Sequence, residues 1–331
     1  MRLGLLAGIG DDWRDTLEKV KIAEELGYER VSCAESWSSS PLPWLAAVAV
    51  NTSRIEIGTS ILNCFSRSPA ALAQEFASLD KLSDGRAVLG LGSSGELVIE
   101  HLHGVPFQRP LTRLREYVDI FNMVIAQEPL HYPGEIFDLQ RGFKLRGSNV
   151  RKHIPVYIAA ITPRSIRQTG KIADGIIPIH WPKRHLKTLR AELAEGAAEA
   201  GRSGADLTIA PQVHLRILDG RNDEEIWQSA RQPLQYYINR MGVFYHRMLS
   251  RNGFEAEVAA SRQAWANRDV EGSFRAITDE MVREIEVIGS SAEEIRDQLQ
   301  ERSELGADLQ MLHLPEGSPA EVGKLLETLV R

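Results

Sequence analysis

Cysteine is scarce in this chain: its 331 residues include only Cys33 and Cys64, which lie far apart in the sequence. Two cysteines cannot build a disulfide framework, and this separation does not match the spacing of metal ligands. Long apolar runs are also missing, because no stretch approaches the ~20 residues of a membrane-spanning helix. The first residues carry neither the apolar region nor the cleavage site of a secretory signal. These absences predict a soluble protein of the reducing cytoplasm.

An excess of positive charge is missing as well. The net charge is −6 at pH 7, and the isoelectric point is about 5.9. We therefore expect neither nucleic acid nor an anionic membrane as a partner. Hydrophobic residues make up 43% of the chain, which is enough apolar material for a sizeable core.

The chain does contain a regular alternation of short apolar runs and longer amphipathic segments. The apolar runs predict eight strands, at 2–8, 30–34, 55–61, 87–91, 155–160, 175–179, 207–218 and 308–314. Helices are predicted between them, among others at 12–27, 43–50, 69–82 and 112–127. This alternation is typical of parallel βαβ units and predicts an α/β fold, a (β/α)8 TIM barrel.

Two parts of the chain exceed a minimal barrel. Residues 93–110 and 128–153 are rich in Gly, Pro, His and Arg and are predicted to form loops or an insertion. Residues 222–288 form a mostly helical block that is too long for one barrel helix. We expect this block to lie outside the barrel, either shaping a substrate pocket or serving as a lid or dimer contact. No linker divides the chain, which predicts a single domain over 1–331.

A glycine-rich segment, Gly90 to Gly95, follows the fourth predicted strand and matches the G-x-G-x-x-G dinucleotide pattern. Glu116 even lies near the distance of a ribose-binding acid. However, the segment after the glycines is stopped at once by Gly104, so no long helix faces a pyrophosphate. We interpret the segment as a turn at the mouth of a barrel, where it lets the backbone approach a planar ligand and presents Glu96.

A second candidate site lies where the fifth strand meets a helix. Thr162 is a suitable N-cap and Pro163 a suitable first helical residue, so free N–H groups are expected to point at the mouth. That geometry binds phosphate, and Arg164 could add positive charge. The alternative is an ordinary capped helix.

Histidines occur in or near three late strands, at His180, His214 and His313. No carboxylate or second histidine accompanies any of them at ligand spacing, so no metal site is expected. His180, which precedes Trp181, is interpreted as a wall of the cofactor or substrate pocket. Ser93 and Ser94 lack the spacing of a nucleophile elbow.

The order of these segments resembles the bacterial luciferase-like superfamily. The motifs that carry the resemblance are IGTSILNCFSRSP at 57–69, LSDGRAVLGLG at 82–92, PVYIAA at 155–160, IADGII at 172–177, IGSSAEE at 288–294 and LGAD at 305–308. Apart from 222–288 they cover nearly the whole chain. The branch most similar to this chain uses the deazaflavin coenzyme F420 and contains methylenetetrahydromethanopterin reductases and glucose-6-phosphate and secondary-alcohol dehydrogenases.

The resemblance implies a barrel, often dimeric, with a cofactor across the carboxyl ends of its strands. It implies a bulge and a non-proline cis peptide bond near Ser60-Ile61 that back the ring, and a phosphate-binding helix that begins at Thr162. By position, Glu96 matches a proton donor, and Glu35 matches an acidic residue after the second strand. The candidate catalytic residues are thus Glu96 and Glu35. The candidate cofactor-binding residues are Ser60, Ile61, Asn63, Gly92, Ser94, Gly95, Ala159, Ala160, Thr162, Pro163, Arg164, Ser165 and His180.

The same resemblance leaves the substrate open. Leu5, Leu6 and Ala7 stand where the methanopterin reductases carry an acidic residue, and Ser36 stands where the sugar-phosphate and alcohol enzymes carry a histidine. The expected function is hydride transfer between coenzyme F420 and a small organic substrate, in a homodimer. The alternatives are an FMN-dependent monooxygenase supplied by a separate flavin reductase, and a non-catalytic flavin-binding barrel.

Overall fold

The computed structural model describes residues 1–147 and 149–331. Most strands in this part of the chain are short and buried. They are β1 (Leu3–Leu6), β2 (Arg30–Cys33), β3 (Glu56–Thr59), β4 (Leu62–Asn63), β5 (Ala87–Gly92), β6 (Leu130–Pro133), β7 (Asp138–Phe143), β8 (Val156–Ile158), β9 (Gly175–Ile176), β10 (Thr208–Ile209), β11 (Gln212–Val213), β12 (Leu215–Ile217), β13 (Val287–Gly289) and β14 (Gln310–His313).

The helices lie between the strands and follow the predicted alternation. They are α1 (Trp13–Glu25), α2 (Pro41–Asn51), α3 (Pro69–Leu82), α4 (Glu96–His101), α5 (Pro110–Ile125), α6 (Pro163–Ile172), α7 (Leu186–Glu199), α8 (Asp223–Arg240), α9 (Phe244–Leu249), α10 (Glu255–Ala266), α11 (Val270–Arg275), α12 (Asp279–Ile285), α13 (Ala292–Leu305) and α14 (Pro319–Val330). None of those helices, within residues 1–147 and 149–331, has the length and apolar character needed to cross a membrane.

The principal sheet closes on itself. Its strands pair in parallel in the order β10, β9, β8, β5, β3, β2, β1, β14, β11. Strands β10 and β11 are the two ends of one segment, residues 208–213, and they pair with β9 and β14 respectively. This segment therefore joins both edges of the sheet, and the predicted (β/α)8 barrel is confirmed.

The prediction of a single strand over 207–218 was wrong. Pro211 has no N–H to donate, and the segment breaks there into β10 and β11. After His214 the chain leaves the barrel, and β12 pairs with β13 instead. An unbroken apolar run thus concealed a change of pairing partner.

Residues 128–153 were predicted as loop or insertion, and part of this segment is an antiparallel hairpin of β6 and β7. Its turn wraps around the buried carboxylate of Glu116, which accepts the backbone N–H groups of Glu135, Ile136 and Phe137 at 2.8–3.0 Å. Glu116 therefore fixes a turn and does not serve a nucleotide, which agrees with the rejection of a Rossmann motif.

The third barrel strand is interrupted between β3 and β4. The peptide bond between Ser60 and Ile61 is cis, as the resemblance predicts. Next to it, Thr59 and Gly90 lie so close that a Cβ on Gly90 would be 1.9 Å from the carbonyl oxygen of Thr59. Only glycine fits at Gly90, which explains the first glycine of the glycine-rich segment.

The block at 222–288 is mostly helical, as predicted, and contains α8 to α12. Helix α8 and the residue that follows it, Met241, each approach the barrel at one point. The ring of Tyr237 lies 4.6 Å from that of His180, and the Cε of Met241 lies 3.4 Å from where a Cβ on Gly95 would be. The block thus borders the mouth of the barrel. That the chain folds as one domain stays a prediction.

Candidate active site

Ile61 lies at the mouth of the barrel, where the carboxyl ends of neighbouring strands meet. It is half-buried and packs on an apolar cluster in the barrel interior. A Cβ on Gly92 would lie 2.7 Å from Ile61 Cδ1 and 3.3 Å from Ala159 Cβ. Because Gly92 has no side chain, the three residues form a compact apolar surface, here called the platform. Such a surface suits one face of a planar ring.

The other residues predicted to touch the ring are more enclosed. Ser60, Asn63 and Ala160 are all about 5% exposed. The hydroxyl of Ser60 accepts a hydrogen bond of 3.0 Å from Nε2 of Gln212, which also lies 3.4 Å from the Ser60 carbonyl oxygen. Ser60 and Ala160 therefore shape the platform from behind.

Glu35 and Asn63 form a hydrogen-bonded network beside the platform. The carboxylate of Glu35 accepts from Nδ2 of Asn63 at 2.7 Å, from its backbone N–H at 3.2 Å, and from Arg67 at 2.5 Å. The side-chain oxygen of Asn63 in turn accepts the N–H groups of Phe65 and Ser66. These hydrogen bonds fix the conformation of the chain after β4. The carboxylate of Glu35 is therefore occupied and is not a free acid.

Glu96 differs from Glu35 in its exposure and in its hydrogen-bond partners. It is the exposed first residue of α4 and follows the turn in which Ser94 has a φ of 59°. In the described part of the chain its carboxylate makes no hydrogen bond or ion pair, whereas Glu100 accepts the N–H of Phe107 at 3.1 Å. Glu96 is the carboxylate at this rim that remains available to a ligand.

Helix α6 begins at the same rim, after β8. Thr162 and Ser165 form a reciprocal capping box in which each side chain accepts the other residue's backbone N–H. The N–H of Arg164 is not used by this cap, and the exposed Arg164 side chain makes no ion pair among the described residues. The helix start thus combines a free donor, a positive dipole end and an exposed cation, which together suit a phosphate.

The three late histidines converge on one side of the mouth. His180, His214 and His313 line a cavity together with Gln212 and Glu286. The rings of His214 and His313 are stacked with centroids 3.5 Å apart. Burial lowers the pKa of His180 to about 3 and the pKa of His313 to about 4. These histidines are therefore neutral at pH 7. No group of three or more His, Cys, Asp or Glu side chains within residues 1–147 and 149–331 is arranged to hold a metal ion.

This cluster makes stability depend on pH. An unfolded histidine has a pKa of about 6.5, so at pH 5.5 the unfolded chain takes up protons that the native His313 does not. The free energy of unfolding should therefore fall as the pH drops below 6.5, by about 1 kcal/mol at pH 5.5 for His313 alone. Glu286 acts in the opposite direction, because burial raises its pKa.

Urea denaturation of the parent and of His313→Gln at pH 7.5 and pH 5.5 separates these contributions. Glu286, Arg216, His214 and His180 surround this site and stay the same in both proteins. The decrease in the free energy of unfolding from pH 7.5 to pH 5.5 should be smaller in the variant by about 1 kcal/mol. Equal losses would show that His313 does not titrate as its burial requires.

Several residues of the site could not be recognised from the sequence. Arg216 and Glu286 form a 2.5 Å ion pair across 70 positions of sequence. Gln212 follows the break at Pro211, and Tyr237 lies inside the helical block. The three tyrosines of the block, Tyr236, Tyr237 and Tyr245, are the sequence signal that could have indicated an aromatic wall.

The residues of the mouth fit a flavin-like cofactor. The platform offers an apolar face, and α6 offers an anion site at the same end of the barrel. Gly8, just after β1, is exposed, and a Cβ there would meet no atom within 4 Å. The chain is therefore open to solvent at this point, where β1 ends.

Comparison with known proteins agrees with this geometry. A protein of Mycobacterium tuberculosis named as a coenzyme F420-dependent oxidoreductase is 30% identical, with 87% of this chain and 88% of that protein covered. Two solved structures share the fold over 100% of this chain. The F420-dependent tetrahydromethanopterin reductase of Methanopyrus kandleri has a TM-score of 0.79 at 20% identity, with 97% of that chain covered. A type II Baeyer–Villiger monooxygenase of Pseudomonas putida, in complex with FMN, has a TM-score of 0.69 at 18% identity, also with 97% covered.

The family model described as luciferase-like monooxygenase matches residues 2–309. This match spans the barrel strands up to the last one, the platform, the start of α6 and the helical block. Together with the relative at 30% identity, it shows that the chain is an oxidoreductase and belongs to the luciferase-like monooxygenase family.

Proposed function

We propose that this enzyme transfers a hydride between coenzyme F420 and a small organic substrate. The observation that carries the proposal is the platform of Ile61, Gly92 and Ala159 at the same rim as the start of α6. A relative at 30% identity that is named for coenzyme F420 supports the choice of cofactor. When bound, coenzyme F420 supplies or accepts the hydride at C5 of its deazaflavin ring.

The residues of this chain would act by positioning the reactants and by moving a proton. Ser60 and Ile61 back the ring. Ser94, Gly95 and Arg164 hold the phosphate through their backbone N–H groups and the Arg164 side chain. Thr162 and Ser165, whose own N–H groups are used in the cap, and Pro163 shape this helix start. His180 supports the adjoining wall of the pocket through its contact with Tyr237.

Oxidation or reduction at a carbon that bears oxygen or nitrogen also moves one proton. Glu96 is the proposed acid or base for this proton, because its carboxylate is exposed and unpaired at the rim. Glu35 is the proposed positioning residue, because its carboxylate is occupied by Asn63 and Arg67. This division of roles follows from their different hydrogen-bond partners.

The helical block would form the outer wall of the substrate pocket. An open groove runs between Trp37, on the loop after β2, and residues of the block that include Tyr236, Arg240 and Trp265. Arg240 lines this groove, and the next residue, Met241, approaches the glycine turn at Gly95. We therefore favour the substrate-pocket role of the block over a role as a dimer contact.

Reconstitution with each cofactor tests the proposal. The purified chain is titrated with coenzyme F420 and with FMN, and binding is followed by fluorescence. It is then supplied with glucose 6-phosphate, secondary alcohols and methylenetetrahydropterins in aerated buffer, and dissolved oxygen is recorded together with turnover. Deazaflavin binding with turnover, and without oxygen consumption, is expected.

An FMN-dependent monooxygenase supplied by a flavin reductase is the second candidate. It is favoured by the fold shared with the FMN-bound monooxygenase of Pseudomonas putida. FMN turnover with oxygen uptake would select it over the first candidate. The homodimer is part of the proposal, and light scattering of the purified chain measures it directly.

A further inference from the structure

Two residues that line the cavity of the three histidines each carry a buried polar atom without a partner. Nε2 of His180 and Oε1 of Glu286 are inaccessible, and neither has a hydrogen-bond partner within residues 1–147 and 149–331. Their side chains are only 6% and 1% exposed. Leaving such an atom unsatisfied costs about 1–3 kcal/mol, so each requires an explanation.

The size of the cavity and the acceptors around it indicate which molecule can occupy it. Its volume is about 10 Å³, close to what one water molecule requires. Burial lowers the pKa of His180 to about 3, so this histidine is neutral and its Nε2 can accept a hydrogen bond. A carboxylate oxygen also accepts. A molecule with two donors and the size of one oxygen atom satisfies both.

We propose that this cavity is a hydration site in which one water molecule bridges His180 and Glu286 and fixes Gln212, which holds Ser60 behind the platform. Gln212 lines the same cavity and donates to the hydroxyl of Ser60 at 3.0 Å. The water and Glu286 thus position the ring-binding peptide without touching the ring. This positioning role rests on the proposed function, whereas the hydration site itself does not.

A crystal structure of the full chain at high resolution tests the water directly. One ordered water molecule is expected within hydrogen-bond distance, about 2.7–3.2 Å, of both His180 Nε2 and Glu286 Oε1. An empty cavity, or a cavity filled by a shifted side chain, would overturn the inference.

Two variants test the positioning role. In Glu286→Gln the amide still reaches the water and Arg216, so affinity for coenzyme F420 should stay within twofold of the parent. The double variant Glu286→Met with Arg216→Met removes the acceptor without leaving a buried charge unpaired. Its affinity for coenzyme F420 should fall about fivefold, or ~1 kcal/mol, with the unfolding transition still cooperative.

The outcomes are distinguishable. Unchanged cofactor affinity in a folded double variant would refute the positioning role. A parent chain that binds no coenzyme F420 would refute the proposed function, and the crystal structure would still decide whether the cavity binds water. If Glu286→Gln lost as much affinity for coenzyme F420 as the double variant, the loss would be due to the charge of Glu286. That outcome would overturn the role of the water.

Discussion

Glu96→Gln should lower turnover by ~10²-fold or more while affinity for the cofactor is unchanged. Glu96 follows the glycine turn at the end of β5, is exposed at the rim, and makes no hydrogen bond or ion pair in the described part of the chain. Glutamine keeps the shape of the side chain but cannot exchange the proton. Steady-state rates on the best substrate of the panel, with cofactor affinity measured in parallel, provide the measurement.

Glu100→Gln is the matched control, because Glu100 lies one turn further along the same short helix. Its carboxylate accepts the N–H of Phe107, which a glutamine oxygen can also accept, so turnover should stay within threefold. If Glu96 only stabilised the start of α4, its loss would cost a few tenths of a kcal/mol and leave turnover unchanged. Turnover of Glu96→Gln within threefold of the parent would remove Glu96 from the mechanism.

Ser165→Glu should weaken cofactor binding at least tenfold, or ~1.4 kcal/mol. Ser165 occupies the third position of α6, where glutamate is also a good capping partner for Thr162, so the helix start should persist. The new carboxylate would lie against the proposed phosphate, and two like charges about 4 Å apart repel by about 1 kcal/mol in bulk water and by about 4 kcal/mol near a protein surface. Fluorescence titration with coenzyme F420 at low salt measures the loss.

Ser165→Gln separates charge from size in this experiment. Glutamine has the shape of glutamate and the same capping capacity but carries no charge, so it should bind the cofactor within threefold of the parent. Equal affinity of Ser165→Glu and the parent would place the phosphate away from α6. Equal losses in both variants would indicate that bulk, rather than charge, is what the site excludes.

Much of the fold could be predicted from the sequence because its signals are local. The capping residue Thr162 marks a helix start that the structure confirms, and the predicted helix at 69–82 coincides with α3. Apolar runs revealed the barrel strands for the same reason. The apolar run at 207–218 continues past Pro211, but the strands on either side of Pro211 pair with different partners. The prediction of one strand there was therefore wrong.

The candidate site could be predicted less completely. The family motifs located the cis peptide bond, the glycine turn and the start of α6, all of which follow barrel strands. They could not reveal that Glu35 is held by Arg67 whereas Glu96 is unpaired, since hydrogen-bond partners depend on packing. The contact between His180 and Tyr237 joins segments that no periodicity connects.

A crystal structure of the full chain with coenzyme F420 tests most directly whether the platform and α6 hold one cofactor. We expect the deazaflavin ring to lie on Ile61, Gly92 and Ala159, and its phosphate to accept the N–H of Arg164. A ring bound away from the platform, or a phosphate distant from the start of α6, would contradict the proposed site.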